Sequence, residues 1–167
     1  MRHSMIPAGV SLLLLFAVAW LHGAGTDSER QSLAGIKPIR VESTSVRPDV
    51  AADGLDPARL RRVMDARLKA QGLPVAANAT NDLFLTITTS PIRDGYYAVH
   101  LHLELRQLVA LFHEYIRDPE SRGMAATWRT SWIGLLKKDE LGKVDGELAK
   151  LVDQFIADWR IGNLGRK

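Results

Sequence analysis

From Tyr97 to Leu105 the chain alternates without a break: Tyr97, Val99, Leu101, Leu103 and Leu105 are apolar, with Ala98, His100, His102 and Glu104 between them. In an extended chain successive side chains leave on opposite sides, so this period puts every large apolar group on one face. A helix would scatter the same residues around its circumference. The segment is therefore a strand whose one face must be covered by other elements, while its other face meets water.

Two neighbours share the pattern. Leu83, Leu85 and Ile87 alternate with Phe84, Thr86 and Thr88, and the turn-forming run Ser90 to Gly95 joins them to the first segment as a hairpin. After a second turn at Asp118 to Gly123, Ala126, Trp128, Thr130 and Trp132 alternate with Thr127, Arg129 and Ser131, which predicts the last strand of an antiparallel meander. If the middle strand runs on to Phe112, Gln107 falls on the inward face between Leu105 and Val109 and needs a hydrogen-bond partner or a bulge. Ile39 and Val41, bounded by Pro38 and Pro48, predict a further strand at the start.

Helical spacing supplies the cover. Asp56 before Pro57 is a helix start, because the Asp side chain caps free N–H groups and Pro has no N–H to lose there. Leu60, Val63, Met64 and Leu68 then share a face up to Gly72, and Val144, Leu148, Leu151, Val152, Phe155 and Trp159 form a second stripe up to Gly162. The expected fold is α+β in the order β-α-β-β-β-α, a largely antiparallel four-stranded sheet with two amphipathic helices packed on one face.

Ahead of this domain, Arg2 and His3 precede the apolar run Ile6 to Leu21, and Gly23, Ala24 and Gly25 come before the polar stretch Thr26 to Arg30. That is the layout of a secretory signal cleaved before Thr26, with an uncleaved amino-terminal anchor as the alternative. The expected divisions are a signal over residues 1–25, a linker over 26–35, one domain over 36–161 and a tail over 162–167.

The chain has no Cys, which excludes a disulfide framework, a thiolate metal site, a Cys nucleophile and attachment through an amino-terminal lipidated Cys. Lys and Arg number 22 against 19 Asp and Glu, so the small imbalance points to no nucleic-acid partner. No phosphate loop, Gly-x-Ser-x-Gly turn or His-Glu-x-x-His helix occurs, and Ser121, Ser131 and His113 form no triad that sequence alone defines. The chain is expected to be non-enzymatic and to need no cofactor.

Several phrases carry a resemblance: the helix Leu60 to Gly72, the run Asp82-Leu83-Phe84-Leu85-Thr86-Ile87, the strand Tyr97 to Val109, Ala126-Thr127-Trp128, and Leu151-Val152-Asp153-Gln154-Phe155. In layout the chain resembles small bacterial envelope proteins, namely the amino-terminal domain of the Tol-system propeller protein, lipoprotein activators of peptidoglycan synthases and the lipopolysaccharide-assembly lipoprotein. The resemblance implies an accessory or binding role in the envelope and transfers no functional residue. The missing lipidation Cys sets this chain apart from the lipoproteins.

Three groups of residues are candidates for a site. His100, His102 and Glu104 share one strand face, where two imidazoles and a carboxylate can approach a divalent ion if another strand brings a further ligand. The simpler reading, and the one favoured, is the solvated face of an antiparallel strand, where any polar residue serves. Arg59, Arg62 and Lys69 on the first helix could meet an anionic envelope surface or an acidic partner, or be a solvated helix face. Thr86, Thr88, His100 and Arg129 mark the polar sheet face, which with an edge strand would dock another protein. The Trp residues Trp128, Trp132 and Trp159 are expected in the core. The functional expectation is a periplasmic accessory protein that binds another envelope protein; the alternative is a carrier or sensor of a small envelope ligand or lipid.

Overall fold

The alternating segments pair as their pattern requires. A computed structural model describes residues 25–110 and 121–165, so the expected signal segment, except for Gly25, lies outside the described residues. The elements are α1 (Asp27–Ser32), β1 (Ile39–Ser43), α2 (Pro48–Ala52), α3 (Pro57–Ala70), β2 (Asn81–Pro91), β3 (Tyr96–Ala110), β4 (Arg122–Lys137) and α4 (Val144–Gly162), with 3₁₀ turns at Arg93–Gly95 and Lys138–Lys143. The fold is α+β: one four-stranded sheet in the order β1-β2-β3-β4, with helices on one face.

β2, β3 and β4 form an antiparallel meander, and β1 joins β2 in parallel. The α2–α3 segment is thus the crossover that a parallel pair needs. Asp94 and Gly95 both take the left-handed conformation, φ 62° and 74°, which closes the hairpin between β2 and β3 with a twist that suits the strands. In register, Leu85 faces Leu103 and Leu101 faces both Ile87 and Trp132, so apolar rows cross the sheet beneath Leu60, Met64 and Leu68 of α3 and Leu148, Leu151 and Phe155 of α4. Trp128 is buried with its ring edge-on to Phe155 at 5.0 Å, whereas Trp132 and Trp159 are partly buried against the same core.

Gln107 meets its need in both of the expected ways. The register slips between Leu105 and Arg106 so that Thr127 is the extra residue on β4, and the Thr127 hydroxyl donates to the Gln107 side-chain oxygen.

Residues 26–35, expected to be a linker, are part of the fold. Thr26 caps α1 with a reciprocal capping box to Glu29, and Leu33 and Ile36 are buried. What holds this segment is Asp158 of α4, only 1 % exposed. Its Oδ2 accepts from the Gly25 amide at 3.2 Å, Trp128 Nε1 at 3.0 Å and Gln154 Nε2 at 3.1 Å, and its Oδ1 accepts from Arg30 Nε at 3.0 Å. Burial pushes this carboxyl up, but the donors from Trp128, Gln154, Arg30 and Gly25 together hold it below the ordinary carboxylate range. Gly25, assigned by sequence to the signal, is buried beside it, and a Cβ there would sit 2.9 Å from Asp158 Oδ2.

The end of α4 completes the clasp. Asn163 Nδ2 donates to the Leu33 carbonyl at 3.0 Å, the Gly35 amide donates to Asn163 Oδ1 at 2.8 Å, and Trp159 Nε1 donates to the Ile36 carbonyl at 3.2 Å. Gly162 allows this approach, since a Cβ at that position would fall 2.1 Å from the Arg30 carbonyl oxygen.

These contacts set two expectations. Asp158→Ala leaves the Trp128, Arg30 and Gly25 donors unmet and should lower unfolding free energy by about 3–5 kcal/mol, as breaking a buried ion pair does; a loss under about 1 kcal/mol in urea titration would show that the clasp is dispensable. Because the folded Asp158 carboxyl titrates below its unfolded value of about 3.9, its contribution is complete above that pH and is lost as pH falls through the lower folded value. Asp158→Asn should therefore flatten the acid limb of stability against pH, and an unchanged limb would contradict the assignment.

Candidate functional site

The residues between the core positions of β2, β3 and β4 meet in rows on the sheet face away from the helices. Phe84, Glu104 and Arg129 form one row, Thr86, His102 and Ser131 the next, and Thr88, His100 and Ile133 a third. Of the sequence candidates, Thr86, Thr88, His100, His102, Glu104 and Arg129 thus share one surface, while Arg59, Arg62 and Lys69 lie on α3 across the sheet.

The polar rows are tied internally. Arg106 donates to Glu104 Oε1 from Nε at 2.6 Å, and its guanidinium stacks 3.7 Å from the Phe84 ring centroid. His102 Nε2 lies 3.4 Å from the other Glu104 oxygen, and the His100 and His102 rings are 6.1 Å apart and tilted by 39°. Glu104 is therefore shared between Arg106 and His102. Among the described residues no group of three or more His, Cys, Asp or Glu is placed to hold a metal ion.

Arg129 faces Glu104 across the strands, yet the Glu104 carboxylate is taken, and Arg129 makes no ion pair among the described residues. It lies on β4, the edge strand, whose sixteen residues extend beyond the stretch Ala126 to Trp132 that alternation marks. The extension carries Ile133 and Leu135, 74 % and 57 % exposed on the outward face. The polar outer face expected from sequence therefore becomes apolar at this end. Runs of two adjacent apolar residues, such as Trp132-Ile133 and Leu135-Leu136, break the period and hide the strand's length.

One stretch of the edge is closed. The Ser32 hydroxyl of α1 lies 3.1 Å from the Thr127 carbonyl, at the bulge, sharing its proton between that carbonyl and the Glu29 carbonyl at 2.7 Å. Beyond it, Trp132 lies over Gly134, where a Cβ would fall 2.3 Å from the indole ring, and the enclosed Trp132 Nε1 has no acceptor among the described residues. From Arg129 to Leu136 the strand that pairs with it among the described residues is β3. A row of unpaired backbone groups on an edge is a template for another strand.

The α3 cations are largely paired. Arg59 Nε is 3.0 Å from Asp145 of α4, Lys69 is 2.9 Å from Asp65, Arg67 binds Asp153, and Arg62 reaches Asp56 at 3.5 Å. Sequence spacing showed these side chains as a stripe; two of the acids that meet them, Asp145 and Asp153, come from a helix remote in sequence, and the other two, Asp56 and Asp65, from α3 and its cap. A recess of about 400 Å³ lies beside α3, lined by Val41, Ala58, Arg61, Arg62 and Val75. Another, of about 430 Å³, lies by Asp53, whose carboxyl is held below its ordinary range by Lys138 at 2.5 Å and by the Tyr97 hydroxyl at 2.6 Å. Both are open surface features at the rim of the sheet.

The engaged Glu104 leads to a direct expectation: zinc added to the metal-free protein should leave the unfolding temperature unchanged, since only a ligand that prefers the folded state raises it. A rise that His100→Ala and His102→Ala abolish would restore the metal reading.

No family model and no curated protein sequence matches the chain. Among solved structures the chain is similar to the dodecamer of a PelC variant from Paraburkholderia phytofirmans, at 14 % identity over 75 % of this chain and 88 % of that one, with a TM-score of 0.40. A likeness at that score is too slight to carry over fold or function.

Proposed function

We propose that the chain is an exported, non-enzymatic accessory protein that binds another envelope protein, with the open part of β4 as its docking strand. The observation that carries this reading is the sixteen-residue edge strand with Ile133 and Leu135 exposed on its outward face. Solvated edges are commonly short or blunted by charge; among the described residues this one is long, is closed at the Thr127 bulge beside Ser32, and carries its charges, Arg129 and Lys137, on either side of an exposed aliphatic stretch. Strand addition draws affinity from main-chain hydrogen bonds and specificity from alternate side chains, both of which this edge offers.

The amino-terminal apolar run supports export, and no helix among the described residues is long and apolar enough to cross a membrane. The resemblance of the sequence layout to that of envelope accessory proteins supports the same compartment. A carrier role is the weaker reading, because the layer between sheet and helices is filled by side chains such as Leu101, Leu103, Met64, Leu148 and Phe155.

A photo-crosslinking residue placed at Ile133 of the full chain, expressed in its own host, should yield an adduct with a specific protein. The same residue at Arg62, on the helix side, should yield none. Adducts from the Arg62 position rather than from Ile133, or from neither, would overturn the proposal.

A further inference from the structure

The open edge has a one-sided charge. β4 contains Arg129 and Lys137 on its outward face and no acidic residue from end to end, and the outward residues of β3 contribute a single acid, Glu104, which Arg106 occupies. Arg129 and Lys137 are exposed and stand eight positions apart on the same face, about 27 Å at strand rise, with Ile133 midway and Leu135 beside it. Cations flanking an exposed aliphatic centre form a pattern that a facing strand can answer.

A second copy of this chain answers it badly. In an antiparallel pairing of two β4 strands that sets Ile133 against its own copy, Arg129 falls opposite Lys137, and two-fold symmetry repeats the clash. Like charges directly opposite destabilise a strand pair. A strand with acids at those two positions turns both clashes into cross-strand ion pairs and keeps the aliphatic contact at the centre.

We infer that the occupant of the β4 edge is an extended segment of a different protein, with an acidic residue, an aliphatic residue four positions later and a second acidic residue four positions after that. This rests on the proposed docking strand and adds the chemistry of the partner. In antiparallel register the first acid meets Lys137, the aliphatic side chain meets Ile133 and the second acid meets Arg129. Residues between them on the same face meet Leu135 and Ser131, and the remaining residues alternate to the other side. The charges select the partner and speed encounter; the backbone bonds and Ile133 hold it.

The probe is a labelled, end-blocked peptide, Glu-Thr-Val-Thr-Ile-Thr-Val-Thr-Glu, with a counterpart in which Lys replaces each Glu. Fluorescence anisotropy with the exported form of the chain should show the acidic peptide binding at least about tenfold more tightly than the basic one at low salt, with the difference shrinking as salt rises. In the double variant Arg129→Glu, Lys137→Glu, both changes being on exposed side chains, the preference should reverse while circular dichroism stays that of the native fold.

Equal binding of the two peptides would overturn the charge assignment and leave the docking strand standing. Binding of neither peptide, with self-association in sedimentation, would make the occupant a second copy and overturn the inference. Binding of neither without self-association would also overturn it, and the crosslink at Ile133 then decides separately whether the edge docks any protein.

Discussion

A single buried carboxylate organises the amino-terminal half of the helical layer. Asp158 gathers donors from α1, β4, α4 and the Gly25 backbone, elements far apart in sequence. A charge buried without partners would be costly, so each donor is needed to make the site favourable, and together they fix where α1 must lie. Gly25 and Gly162 are the two positions where the approach leaves no room for a side chain, because a Cβ at either would meet Asp158 or the Arg30 carbonyl.

The consequence reaches the edge of the sheet. With Arg30 on Asp158, Ser32 comes within hydrogen-bond distance of the Thr127 carbonyl, at the bulge that Gln107 requires. The bulge and the helix together end the usable edge on one side, and the Lys138–Lys143 turn ends it on the other. Between them lies a stretch of β4 whose inward side chains serve the core and whose outward ones, Arg129, Ile133 and Leu135 among them, are exposed. That division of labour along one strand is what turns a structural element into a candidate interface.

Much of this fold is legible in the sequence because it follows from local periodicity. The alternation from Tyr97 to Leu105, the capped helix after Asp56 and the stripe from Val144 to Trp159 each state their own burial, and a polar Gln107 in an apolar row announces an irregularity by itself. What is not legible depends on groups brought together from afar. The stretch of α1 offers few apolar anchors, Leu33 after its end being the main one, so it looks like a linker; the polar partners that also hold it, Asp158 and Asn163, lie at the far end of the chain. The cationic stripe of α3 looks like a free surface because Asp145 and Asp153 each lie 86 positions from the arginine they meet. Arg129 looks no different from its neighbours, since its freedom depends on Arg106 having taken Glu104 first.

Docking on β4 requires an edge that is open from Arg129 to Leu136 and closed at Thr127. Residue-resolved amide hydrogen exchange on the free chain measures this directly. The amides of that stretch that point away from β3 should exchange at rates close to those of unstructured peptide, while amides of β3 and those of β4 bonded to it are protected to the level of global unfolding. Protection throughout the stretch in the free chain would mean that the edge is already covered, and the docking strand would have no place in the molecule.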